Sequence, residues 1–127
     1  MRIAISSTGK DLDSQIDNRF GRCPYFVIVE VENKDIKSSK AIENTATAQA
    51  GGAGISAAEL VGNQNVEAVI TGNSGPRAFS VLSELGIDIY QATGIVKEAV
   101  MQLIEGKLTK IQGPTGPQHR GMGGRFQ

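Results

Sequence analysis

Three arginines, one cysteine and a run of glycines are the residues here whose types and spacing could do chemistry. Arg19-Phe20-Gly21-Arg22-Cys23 places two guanidinium groups and a thiol within five positions. Gly72-Asn73-Ser74-Gly75-Pro76-Arg77 is a glycine-rich turn that runs into a helix, with a third guanidinium at its end. Such a turn exposes unpaired N–H groups and a partial positive charge at the helix N-terminus. Glycine lets a ligand approach the backbone closely, and arginine adds permanent charge and several donors. The chemistry on offer is anion binding. The alternative is that the glycines only turn the chain and the arginines are solvated.

Cys23 is either a soft metal ligand or a small, partly buried residue. His119, the one histidine, lies in the glycine-rich C-terminal stretch. One Cys and one His cannot fill a four-ligand zinc or iron–sulfur site. A cluster held here would need backbone contacts, bridging ligands or a second subunit. Asp11, Asp13 and Asp17 belong to a polar loop, where Asp17 is placed to brace Arg19 or Arg22. Walker, Rossmann, Gly-x-Ser-x-Gly and Cys-x-x-Cys patterns are absent.

The elements that must position these groups follow from periodicity. Residues 2 to 6 alternate as a strand, and Tyr25 to Val31 is a β-branched and aromatic strand buried on both faces. Glu32-Asn33-Lys34-Asp35 turns the chain into a more polar strand, Ile36 to Glu43, whose lysines suit a sheet edge. From Ala53 the period becomes helical, with Ile55, Ala58 and Val61 on one face and Leu60 beside them, ending at Gly62-Asn63. Val66 to Thr71 is a strand. Pro76 opens a second helix with Ala78, Phe79, Leu82 and Leu85 as its stripe. Ile87 to Tyr90 is a strand, and Thr93 caps a third helix with Val96, Ala99, Val100, Leu103 and Ile104 inward. Leu108 to Ile111 is a further short extended segment.

This order predicts one α/β domain over residues 1 to 112, of three layers (α/β/α). Its mixed five-stranded sheet has order 3-2-1-4-5 with strand 2 antiparallel, because the hairpin half pairs antiparallel and the βα half crosses right-handedly. Residues 113 to 127 are predicted as a flexible glycine-rich tail. Ligands bind open sheets at the C-terminal edge of the parallel strands, where the strand order reverses. Ser6-Ser7-Thr8, residues 19 to 23, Asn44 with Gly51 and Gly52, residues 72 to 77 and Gln91 to Gly94 should all meet there.

Composition narrows the function classes. In 127 residues, thirteen basic and thirteen acidic side chains leave no global field to attract nucleic acid or an acidic membrane. With no Trp and few aromatics, a base-stacking platform is not expected. One cysteine excludes an intrachain disulfide framework and suits a reducing compartment. No apolar run reaches the roughly 20 residues of a membrane span, and the opening residues read as a strand rather than a signal peptide. A cytoplasmic protein is expected.

Met1-Arg2-Ile3-Ala4-Ile5, then Phe20-Gly21-Arg22-Cys23-Pro24-Tyr25-Phe26, then Gly72 to Ala78 with Leu82 and Gly86-Ile87 resemble the dinitrogenase iron–molybdenum cofactor biosynthesis family. The resemblance spans roughly residues 1 to 108, and small stand-alone archaeal and bacterial members look most similar. It implies a ribonuclease H-like motif without nuclease activity. The first strand, Arg2-Ile3-Ala4-Ile5-Ser6, carries no carboxylate to hold the two metal ions such nucleases need. It further implies binding or carriage of an iron–sulfur or iron–molybdenum cofactor precursor, with cofactor-assembly proteins as partners. The segments Phe20 to Phe26 and Gly72 to Ala78 carry over as the site. Three functions follow in order: a non-catalytic cofactor carrier, with Cys23 and His119 as candidate metal ligands; a regulatory module binding a small anion or phosphometabolite without metal; and, last, an enzyme, for which no acid–base pair or activated nucleophile can be named.

Overall fold

A computed structural model describes residues 1–48 and 51–113. Both His119 and the predicted tail from Pro114 onward lie outside the described residues. The chain runs β1 (Arg2–Ser7), β2 (Tyr25–Glu32), β3 (Asp35–Glu43), a 3-10 turn (Thr45–Ala48), α1 (Ala53–Gly62), β4 (Ala68–Thr71), α2 (Pro76–Glu84), β5 (Asp88–Gln91), α3 (Val96–Ile104) and β6 (Thr109–Lys110). One sheet of order β3-β2-β1-β4-β5-β6 results. β2 is antiparallel to β1 and β3, while β4 is parallel to β1 and β5.

The central order is as expected, but the sheet has six strands and not five. Gly106 adopts a positive φ after α3, and the chain reverses so that Thr109 and Lys110 pair antiparallel with Gln91 and Tyr90. The Ile111 amide donates to the Ile89 carbonyl at 2.7 Å. Burial of Ile111 under β5 anchors this sixth strand. At the β2–β3 hairpin, Asn33 and Lys34 both take positive φ, the geometry whose twist matches that of the flanking strands.

Strand alternation divides the core into two layers. Ala4, Phe26, Ile28, Val69 and Ile89 face α1 and α2. Ile3, Ile5, Val27, Val29 and Ile70 face α3. The inward face of α1 is Ala53, Ala57, Ala58 and Val61, with Ile55 only half-buried. Ala58 and Val61 of the expected stripe are thus buried, and Ala53 and Ala57 complete the face in place of Ile55. α3 is capped by Ile95 and not by Thr93. Its first amides are taken by the polar loop instead: Val96 and Lys97 donate to the Ser14 and Leu12 carbonyls, each at 2.9 Å. No helix among the described residues is long and apolar enough to cross a membrane.

Candidate functional site

The ends of β1 and β4 are tied beneath the site by hydroxyls. Ser6 Oγ lies 2.7 Å from the Asp17 carbonyl and 2.8 Å from Thr71 Oγ1. With one proton to give, Ser6 donates to Asp17 and accepts from Thr71. The Asp17 amide returns a bond to the Ser6 carbonyl at 3.0 Å. This hooks the loop before β2 onto the C-terminal edge of the sheet. Arg19 then forms a backbone bridge to Asn73, so the loop and the turn before α2 are neighbours. Gln91 Nε2, from the end of β5, donates to the Gly72 carbonyl at 3.1 Å.

Between them opens a cleft of about 440 Å³, lined by Asn18, Arg19, Phe20 and Gly21 on one side and by Gly54 with residues 73 and 75–78 on the other. Gly21 lies against the first turn of α1, where an added Cβ would sit 3.0 Å from Gly54 Cα. Gly54 in turn faces Ala78, where its own Cβ would approach Ala78 Cβ to 3.5 Å. Two helices therefore begin side by side at one cleft. Their N-caps, Gly52 and Gly75, make no side-chain capping bond, and Pro76 has no N–H to satisfy. The α3 N-terminus, by contrast, is closed by loop carbonyls.

Of the residues singled out by sequence, Arg19, Phe20, Gly21, Asn73, Gly75 and Arg77 line this cleft. Arg22 stands on the same loop but directs Nη1 to the Thr47 carbonyl at 3.3 Å and is not part of the lining. Gly51 and Gly52 lead into α1 without reaching the cleft. Gly72 and Ser74 are buried behind it. Asn44 is a staple: its side-chain amide donates to the Cys23 carbonyl at 2.8 Å and the Gly21 carbonyl at 3.3 Å, while Oδ1 accepts from the Ala46 amide. Asn18 and Gly54 were not singled out by residue type. The available signal for Gly54 was a glycine within a helical first turn, where only close approach of another backbone compensates its propensity cost.

Cys23 does not open on the cleft. Its side chain is fully buried and its thiol donates to the Phe20 carbonyl at 3.4 Å. Burial is the main force pushing the thiol up to about 12, so the thiolate that a metal requires is disfavoured at neutral pH. The residue is packed as a small apolar side chain.

Asp17 braces Arg19, not Arg22. Oδ1 accepts from Arg19 Nε at 3.1 Å and Oδ2 from Nη2 at 3.0 Å, and Oδ1 also accepts the Arg19 amide at 2.9 Å. Burial alone would raise the Asp17 carboxyl, but the hydrogen bonds and charge of Arg19 outweigh it and hold the group below its ordinary value near 3.8. A depressed folded value stabilises the fold above the unfolded pKa, and that contribution fades as pH falls through the folded one. Asp17→Asn is expected to flatten the acid limb of a stability–pH profile below pH about 4. An unchanged limb in pH-resolved denaturation would contradict this.

A model of the dinitrogenase iron–molybdenum cofactor family matches residues 1–106. The chain belongs to that family. Within reach of this iron–molybdenum cofactor family member are MJ0580 of Methanocaldococcus jannaschii, 44% identical over 79% of this chain and 86% of that protein. The crystal structure of MJ0327 from the same organism is 34% identical, covers 90% of this chain and 97% of that one, and has a TM-score of 0.71. The apo form of the orange protein from Desulfovibrio gigas superposes with a TM-score of 0.85 at 31% identity, over 91% and 96% of the two chains.

Proposed function

We propose that this family member binds an anionic metal–sulfur cluster, of iron–molybdenum type or a precursor of it, as cargo. The cluster sits in the cleft where α1 and α2 begin. The chain acts as a carrier and not as a catalyst, in the cytoplasm and alongside cofactor-assembly proteins. The observation that carries the reading is the pairing of two helix N-termini, whose glycine caps supply no side-chain bond, with Arg77, which takes part in no ion pair among the described residues. Helix amides and arginine favour negative charge. Phe20, Pro76 and Ala78 add apolar wall, which suits a polarisable, weakly hydrated anion.

The donor set fits such a cargo in one way only. Among the described residues no three His, Cys, Asp or Glu side chains gather to hold a metal. The cluster must bring its own sulfide ligands and be held through them by N–H donors. Cys23, expected as a ligand, contributes packing in this reading. The family description supports the cargo class, and the strand order through β5 supports the ribonuclease H-like motif as its scaffold.

Tetrathiomolybdate, a soluble molybdenum–sulfur dianion with strong charge-transfer bands, serves as probe. The protein is expected to bind it, Arg77→Ala to weaken binding about tenfold, or about 1.4 kcal/mol, and Cys23→Ala to leave it unchanged. Failure to bind the probe would remove the cluster reading. The same lack of side-chain ligands favours a second reading, a regulatory module for a small oxyanion. Binding of pyrophosphate with no binding of tetrathiomolybdate selects it.

A further inference from the structure

The cleft's second arginine is not held like its first. Arg77 is exposed on α2, whereas Arg19 is pinned. Its Nε–H and one N–H of Nη2 go to one carboxylate, at 3.1 and 3.0 Å, and its own amide is held by the same group, which leaves Nη1 and the second N–H of Nη2 as a donor pair. That carboxylate is 7% exposed while the guanidinium side chain is 66% exposed. A buried anchor thus carries an exposed fork on the cleft wall, on a loop that the Ser6 hydroxyl and the Arg19–Asn73 bridge fix from below.

Pinning has two opposed consequences for an arriving anion. It removes rotamer freedom that a loose arginine would lose on binding. It also cancels the arginine's charge at long range. The first effect is insensitive to salt, and the second is screened by it. We propose that Asp17 is a positioning residue of the cleft: it presents Arg19 as a preformed hydrogen-bond fork, and at ionic strength high enough to screen net charge this orientation decides how tightly an anion is held. The inference rests on the anion-binding reading of the cleft and assigns within it a role to a side chain that does not itself line the cleft.

The test is an equilibrium titration with tetrathiomolybdate at 0.05 and 0.5 M salt, about 14 Å and 4 Å in screening length. Wild type is compared with Asp17→Asn, Arg19→Lys, Arg19→Gln and the Asp17→Asn, Arg19→Gln double variant. Asp17→Asn keeps an oxygen for the Arg19 amide. Arg19→Lys keeps the charge, loses the fork, and alters only an exposed side chain, so it tests the claim even if the buried substitution unfolds the protein. At 0.5 M salt Asp17→Asn and Arg19→Lys are each expected to bind about fivefold more weakly than wild type. Asp17→Asn should add nothing to Arg19→Gln, and it should show a steeper salt dependence than wild type because the cleft gains a net charge. Wild-type affinity in Asp17→Asn and Arg19→Lys at 0.5 M salt, or a further loss on adding Asp17→Asn to Arg19→Gln, overturns the positioning role while leaving the cleft reading intact. Binding by wild type of neither tetrathiomolybdate nor pyrophosphate at either salt overturns both.

Discussion

Phe26→Ala is expected to cost about 3–5 kcal/mol of folding stability, the range for truncating a buried phenylalanine to alanine. Phe26 is among the largest fully buried side chains. It lies on β2 opposite Ser6 of β1 and Ile42 of β3. Its ring is 5.1 Å from that of Phe20 at an interplanar angle of 53°, a tilted geometry that adds attraction beyond area burial. Alanine would leave a cavity with backbone strands on two sides that cannot collapse into it. Phe20 belongs both to this core layer and to the cleft lining, so the substitution should also loosen the cleft wall and weaken probe binding. Denaturant unfolding with an unchanged m-value reads the stability term. A loss below about 1 kcal/mol would show that the ring is not the keystone its burial implies.

Gly72→Ala is expected to cost about 2–3 kcal/mol, as overpacking against an immobile neighbour does. An added Cβ would stand 2.8 Å from Asn18 Cα. The obstacle is backbone, so no rotamer change relieves it. The loop before β2 would have to lift from the turn before α2, and the cleft between them would lose its shape. Gly75→Ala is the matched control in the same turn: its Cβ meets nothing within 4 Å, and N-cap geometry at φ −69° suits any residue. Its stability should change by no more than about 0.5 kcal/mol. Equal losses at both positions would place the cost in chain flexibility and not in the contact with Asn18.

The difference between these two glycines shows where sequence reasoning stops. Both sit in one Gly-Asn-Ser-Gly turn, and residue type alone places both at the site. Only Gly75 lines the cleft, while Gly72 is the surface on which Asn18 rests. Asn44 and Cys23 divide similarly. A polar amide and a thiol near a sheet edge suggest ligands, yet Asn44 spends its donors on the carbonyls of residues 21 and 23. Cys23 faces the α1 side of the sheet. Side-chain direction at a loop is set by bonds from distant elements, and those leave no periodicity in the chain.

What the sequence determined by itself was the arrangement of elements and the edge of the sheet at which the unusual residues collect. Alternation in β1 and β2, helical spacing from Ala53, and the glycine and proline boundaries are local properties, and right-handed crossovers leave few ways to combine them. Only the tertiary structure decided which residues of that edge face the cleft, that Asp17 anchors Arg19, and that α1 joins α2 there through the Gly21–Gly54 contact. It also decided that a sixth strand closes on β5. Each depends on ångström-scale approach between segments far apart in the chain, which residue type permits but does not specify.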